Sequence, residues 1–147
     1  MAPLLWAQSS IYQLELAGLQ SNTVVKLADY RGRWLLLSFF EPQCSWCQRQ
    51  MRAFSELVED CGERVQPLLV GINGRDDALR EELRRAKVAL PAGRANRQLL
   101  AVGGEVAATP TTLVFAPDGQ QVARLQGYYS RQKFVSAFAD ICTVGPY

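Results

Sequence analysis

Histidine is absent from all 147 residues of this chain, which removes the commonest protein ligand for transition metals. Its four cysteines fall into one close pair, Cys44 and Cys47, and two distant residues, Cys61 and Cys142. That is a poor zinc pattern, so no metal ligand is assigned and a metal-binding module is disfavoured. Long apolar runs are lacking too: none approaches the roughly 18 residues of a membrane span. Neither sign of charge dominates, with 16 Lys and Arg against 14 Asp and Glu for a net +2. The densest basic cluster, Arg80 to Lys87, alternates with Asp76, Asp77, Glu81 and Glu82. Acids at the front and bases at the back of one helix suit its dipole and allow pairs such as Glu81 with Arg85. This reads as a solvated helix face, and nucleic acid is not an expected partner. No polar tract, linker or repeat divides the chain, and 48% hydrophobic with 20% charged residues is the composition of an ordinary globular protein able to bury a core unaided.

Residues 11–147 are expected to form one domain. The opening Ala2-Pro3-Leu4-Leu5-Trp6-Ala7-Gln8 reads like the end of a secretory apolar region with a small residue near a cleavage point, which favours export; a short frayed N-terminus is the alternative for residues 1–10. Tyr12, Leu14 and Leu16 alternate with polar residues, Gly18 turns, and Val24, Val25 and Leu27 return as a short second strand. The continuous apolarity of Trp34 to Phe40 predicts a central strand covered on both faces. A helix over Ser45 to Cys61 then buries Cys47, Met51, Phe54, Val58 and Cys61, and Gly62 ends it. A strand at Pro67 to Ile72, a turn at Asn73-Gly74 and a helix from Asp76 to Val88 follow, the helix burying Leu79, Leu83 and Ala86.

Between Leu90 and Gly104 the pattern supports one short helix, Asn96 to Val102. Strands at Thr111 to Ala116 and Gln121 to Leu125 are joined through Pro117-Asp118-Gly119. Ser130 caps a last helix with Phe134, Val135, Phe138, Ile141 and Cys142 inward. The order predicts an α/β architecture: a mixed central sheet with helices on both faces and an N-terminal β-hairpin extension.

Chemistry concentrates where the apolar strand gives way to the helix. A thiol at a helix N-terminus faces unsatisfied backbone N–H groups and the positive end of the macrodipole, which stabilises its thiolate. Cys44 is therefore the expected nucleophile. Cys47, one turn on and beginning the apolar stripe, is placed to resolve any mixed disulfide formed at Cys44.

Cys44-Ser45-Trp46-Cys47 after an apolar strand, with Thr109-Pro110-Thr111 just before a hairpin, resembles the thioredoxin superfamily, whose active-site disulfide faces a cis-proline loop. The resemblance runs from about Tyr12 to Cys142. The N-terminal hairpin, the Tyr30-Arg31-Gly32-Arg33 step and the extra segment between Ile72 and Thr109 are most similar to the exported TlpA, ResA and DsbE group. It implies a thioredoxin-like fold and a thiol:disulfide oxidoreductase that exchanges its Cys44–Cys47 disulfide with client proteins. It further implies no cofactor, a periplasmic or otherwise exported location, and a thiol donor such as a DsbD-like protein; a monomer is expected because the sequence offers no dimerisation segment. By the same resemblance Pro110 is cis and lies against the disulfide, and Thr109 offers backbone groups to an extended client peptide. A trans proline opening a strand is the plain alternative.

Two departures from the family stand out. The buried acid six residues before the first cysteine of thioredoxin is Ser38 here, and the usual Trp immediately before that cysteine is Gln43. Glu41 is the nearest carboxylate in sequence, either a proton relay to Cys47 whose charge opposes a neighbouring thiolate, or an exposed loop residue beside Pro42. Ser45 and Trp46 tune the thiolate and offer a docking surface, while Arg49 and Arg52 aid the thiolate electrostatically if they fold back but are solvent-exposed by default. Peroxiredoxins share this fold family, but they carry Thr where Glu41 stands, and a carboxylate repels hydroperoxide anion.

The helices ending at Cys61 and Cys142 are expected on one face of the sheet, running the same way, with both C-termini remote from Cys44. A structural disulfide is expected, closing a loop of roughly eighty residues and stabilising by roughly 4 kcal/mol on the chain-entropy model; two buried free thiols are the alternative. Such a bridge supports an oxidising compartment. TlpA-like and DsbE-like relatives are mainly reductants, often serving cytochrome c maturation, and reduction is the expected direction. Thr before the proline also resembles oxidising and isomerising relatives, which leaves a disulfide oxidase or isomerase as the alternative.

Overall fold

The computed structural model describes residues 10–142. The reading of residues 1–10 therefore lies outside the described residues, apart from Ser10, which begins a 3-10 turn, Ser10–Gln13. The strands are β1 (Glu15–Ala17), β2 (Val24–Lys26), β3 (Trp34–Phe40), β4 (Val65–Gly71), β5 (Ala92–Arg94), β6 (Thr111–Phe115) and β7 (Gln121–Gln126). The α-helices are α1 (Ser45–Cys61), α2 (Asp76–Ala86), α3 (Arg97–Gly103) and α4 (Arg131–Ala137).

Five strands form one sheet in the order β5-β4-β3-β6-β7, and β1 and β2 form a separate antiparallel hairpin. β3 pairs in parallel with β4 and antiparallel with β6, so Leu37 lies between Leu68 and Leu113. Both of its edges are occupied and both of its faces covered, which is why it reads as an apolar run broken only by Ser38. Alternation sends Leu36 and Phe40 to one face, where they join Leu69, Val114, and residues of α1, α2 and α4 including Met51, Phe54, Leu83 and Phe134. Leu35, Leu37 and Phe39 go to the other, where they meet Leu16 of the hairpin, Ile11 of the first 3-10 turn, Leu27 of a second 3-10 turn, Leu27–Tyr30, and Leu99 of α3.

Gly71 ends β4 where Leu79 of α2 packs. A Cβ at Gly71 would come within 2.6 Å of Leu79 Cδ1, so the missing side chain lets α2 lie close against the sheet. That approach bears directly on the candidate site.

Several elements differ from the sequence pattern. Tyr12 lies in the first 3-10 turn, and only Glu15–Ala17 is a strand. β4 begins at Val65, two residues ahead of the expected start. β5 was not anticipated, because Ala92-Gly93-Arg94 carries no alternation; it is fixed by parallel pairing to Leu69, Val70 and Gly71. Asn96 is the N-cap of α3, its side chain accepting from Leu99 N–H at 2.9 Å. Ser130 caps α4 as expected, but the helix stops at Ala137 and Phe138 leaves helical geometry. Val58, Val135, Phe138 and Cys142 are half-buried rather than buried. On α2 the ion pairs are Glu81 with Arg84 and Glu82 with Arg85, not Glu81 with Arg85.

Candidate active site

β3 delivers the chain into Glu41-Pro42-Gln43, a tight step in which Gln43 takes a positive φ of 58°. Cys44 follows in extended geometry as the N-cap of α1, its Sγ accepting from the Cys47 backbone N–H at 3.1 Å. A sulfur here replaces the oxygen of an ordinary capping residue, so the first turn of α1 is completed by the reactive atom itself. Cys44 and Cys47 are joined as a disulfide with Cα atoms 5.2 Å apart. Cys44 is half-buried, whereas Cys47 is 1% exposed and packed in the core with Met51 and Phe54. Only the first sulfur is open to an incoming thiol.

The Thr109–Pro110 peptide is cis, and this loop lies against the disulfide. Cys44 Sγ is 3.8 Å from the Thr109 carbonyl oxygen and 3.6 Å from Thr109 Oγ1. Thr109 Oγ1 donates to Glu41 Oε2 at 2.5 Å, and Asn73 Nδ2 donates to Glu41 Oε1 at 3.3 Å. Glu41 thus belongs to the site, but the connection runs through Thr109 to Cys44 rather than to Cys47. A hydroxyl has one proton; directed to Glu41, it leaves Thr109 Oγ1 presenting lone pairs to the sulfur.

Trp46 is 52% exposed. Its ring meets Tyr128 at 5.6 Å between centroids and carries the Arg49 guanidinium 4.7 Å above it. Arg49 is thus exposed but seated on an aromatic face. Trp46, Thr109, Pro110, Gly127 and Tyr128 line an open groove of about 360 Å³ beside the disulfide. Ser45 is exposed at the first position of α1. Ser38 is buried on the α1 side of β3 and bonds Thr112 Oγ1 at 3.1 Å.

Two polar residues of this neighbourhood escaped the sequence reading. Gln50 on α1 is 1% exposed; its Nε2 donates to the Tyr129 carbonyl at 2.9 Å and its Oε1 accepts the Tyr129 N–H at 2.8 Å. Glu82 on α2 is 2% exposed, and its Oε1 accepts from the Cys44 backbone N–H at 3.3 Å and from Gln48 Nε2 at 3.0 Å. A signal for both exists: Cys47, Gln50, Met51, Phe54 and Leu79, Glu82, Leu83, Ala86 are each an i, i+3, i+4, i+7 stripe with one polar member.

Cys61 and Cys142 are bridged, with Cα atoms 4.8 Å apart and a sequence separation of 81. Cys61 ends α1, so the bridge lies a helix length of about 25 Å from the redox pair.

A helix-capping CxxC disulfide facing a cis-proline loop, carried on a mixed sheet with helices on both faces, defines the class: thiol:disulfide oxidoreductases of thioredoxin type. The chain belongs to the thioredoxin-like domain family, whose model matches residues 22–141. No curated protein sequence matches it. Among solved structures it is similar to a thioredoxin-family thiol:disulfide interchange protein from Chlorobium tepidum, at 13% identity, covering 88% of this chain and 93% of that one, TM-score 0.76. It is likewise similar to a DsbF homologue from Corynebacterium diphtheriae, at 19% identity, covering 86% and 82%, TM-score 0.74. A secreted Mycobacterium tuberculosis disulfide oxidoreductase homologous to Escherichia coli DsbE matches at 14% identity, covering 87% and 96%, TM-score 0.71.

Proposed function

We propose that this protein reduces disulfide bonds of client proteins in an exported compartment, periplasmic or extracellular. The observation that carries the reading is the division of labour between the two sulfurs: Cys44 half-exposed beside the Thr109–Pro110 loop, Cys47 buried behind it. In the reduced protein the Cys44 thiolate attacks a client disulfide, forming a mixed disulfide and releasing one client thiolate, which takes up a proton. The Cys47 thiol, losing its proton, attacks Cys44 Sγ; the mixed bond breaks, the second client thiolate leaves, and the Cys44–Cys47 disulfide forms. Two electrons pass to the client. A dithiol donor, such as a DsbD-like membrane protein, returns them.

The groove lined by Trp46, Thr109, Pro110, Gly127 and Tyr128 suits an extended client segment. The Thr109 backbone would pair with that segment in β fashion, with an apolar client side chain against the rings. Direction is argued from charge: Glu41 is tied to the nucleophile through Thr109, and a nearby anion disfavours the thiolate. A less stable thiolate makes a weaker oxidant and a better reductant. Export is supported by the Cys61–Cys142 bridge and by the secreted character of the mycobacterial protein with the same fold. A monomer is proposed.

The test is insulin reduction with dithiothreitol as donor. Turnover is expected in the wild-type protein and loss in Cys44→Ser, while Cys47→Ser accumulates client proteins covalently on Cys44. Intact insulin together with reoxidation of reduced test proteins would replace this reading by a disulfide oxidase. Inertness in both assays would remove the enzymatic reading.

A further inference from the structure

Glu82 is the one buried carboxylate among the described residues, at 2% exposure on α2, and the exchange chemistry above makes no use of it. Its Oε1 accepts from the Cys44 backbone N–H at 3.3 Å and from Gln48 Nε2 at 3.0 Å. Both donors lie at the N-terminal end of α1, the segment that carries the nucleophile. Its Oε2 faces Arg85 at 3.5 Å, and that guanidinium is 56% exposed, so solvent weakens the compensation it provides. Charged residues are almost never fully buried unless paired; here Gln48 is the nearest partner, and the next is the backbone N–H of the reacting residue itself.

Holding the turn requires only an acceptor oxygen, which a glutamine amide would supply equally well. What glutamate adds is charge, placed on the backbone of the residue that becomes an anion when the disulfide opens. We propose that Glu82 is a positioning residue for thiol–disulfide exchange: through the Cys44 N–H it fixes the capping geometry of the nucleophile and sets a negative charge behind it that disfavours the Cys44 thiolate, poising the pair to give electrons away. The proposal rests on the reading of Cys44–Cys47 as the exchanging pair. The other groups facing Cys44 are Glu41, reached through Thr109, and the sulfur of Cys47; Arg85 is the cation facing Glu82.

The couple to measure is Cys44–S–S–Cys47 plus two glutathione thiols giving Cys44-SH, Cys47-SH and oxidised glutathione. The readout is the alkylated active-site peptide by mass, which keeps the Cys61–Cys142 bridge out of the measurement. In Glu82→Gln the pH at which Cys44 ionises, followed by thiolate absorbance, is expected to fall by about one unit. Well above the pH at which wild-type Cys44 ionises, the glutathione equilibrium should move about tenfold toward the reduced pair, equivalent to about 30 mV. The thermal midpoint should stay near that of the wild-type protein. Unchanged ionisation and an equilibrium within twofold of wild type would overturn the proposal.

The wild-type protein supplies a second measurement that needs no substitution. In the reduced state the Glu82 side-chain carboxylate carbon resonance should inflect at the pH where Cys44 ionises, and a resonance blind to that event equally overturns the proposal. Neither experiment involves a client. Failure of insulin reduction with the glutathione shift intact would therefore count against the client reading and leave Glu82 in its place.

Discussion

Gln50 holds both backbone groups of Tyr129, and neither bond is replaceable by an apolar side chain. Through them α1 fixes the loop whose neighbouring residue, Tyr128, meets Trp46. Gln50→Leu leaves a donor and an acceptor in a half-buried loop without partners, a loss of about 2 kcal/mol. Calorimetry should show the midpoint falling by roughly 4–8 °C, with weaker client binding as the groove wall loosens. A second substitution isolates charge. Glu41→Gln keeps an acceptor for Thr109 but removes the anion, so Cys44 should ionise at lower pH and the acidic limb of the insulin-reduction profile should move down with it. Glu41 and Glu82 both act on Cys44, so the double variant should ionise at a lower pH than either single one, and its departure from additivity measures their coupling. The cysteines were legible because a three-residue spacing is local and their chemistry distinctive. Glu82 and Gln50 were not, because each acts on a segment far along the chain, Glu82 over 38 residues and Gln50 over 79. On α2 the surrounding acids and arginines made Glu82 look solvated; its place within an apolar stripe was the contrary sign.

Elements were readable to the degree that their own residues determine them. β3 and α1 announced themselves, one by apolarity broken only by Ser38 and the other by a stripe closed with Gly62, the C-cap of α1. β5 has three residues and no pattern; pairing with β4 creates it. The pattern extends the last helix beyond Ala137 because Phe138, Ile141 and Cys142 continue an inward rhythm that irregular chain satisfies as well. Ile141 is buried although no helix carries it. What fastens this segment is Cys142, bridged to the end of α1. Closing a loop of that length restricts the unfolded chain by about 4–5 kcal/mol on the entropy model. Cys61→Ala with Cys142→Ala should therefore lower the denaturant midpoint by a corresponding amount. Insulin reduction under native conditions should persist, since the redox pair sits at the other end of the helix. Loss of activity in a folded double variant would show that the bridge does more than fasten.

The molecule divides its work between the two faces of its sheet. One face packs α1, α2 and α4 and carries the redox pair; the other is closed by the hairpin, the 3-10 turns and α3. Two tyrosines guard this second face. Tyr12 packs against Gly119 in the β6–β7 turn, donates to the Pro117 carbonyl at 3.4 Å and lies 4.5 Å beneath the Arg31 guanidinium. Its ionisation is pushed up chiefly by burial, opposed by Arg31 and reinforced by Asp118. Tyr30 is likewise raised, first by burial and then by Asp29, with Arg33 opposing. The folded chain thus holds these two phenol protons more tightly than the unfolded chain, whose tyrosines ionise near pH 10. The stabilisation is fully present below about pH 10 and is lost as pH rises through the higher folded values. Urea unfolding should accordingly show a flat stability from neutral pH to about pH 9 and a decline above 10. Tyr12→Phe with Tyr30→Phe should remove most of that slope. Client reduction should climb with pH as Cys44 ionises, then fail where the tyrosine face opens. If the failure is set by that face, the double phenylalanine variant will extend the active range upward; if its upper limit stays where the wild type has it, the limit belongs to the redox face instead.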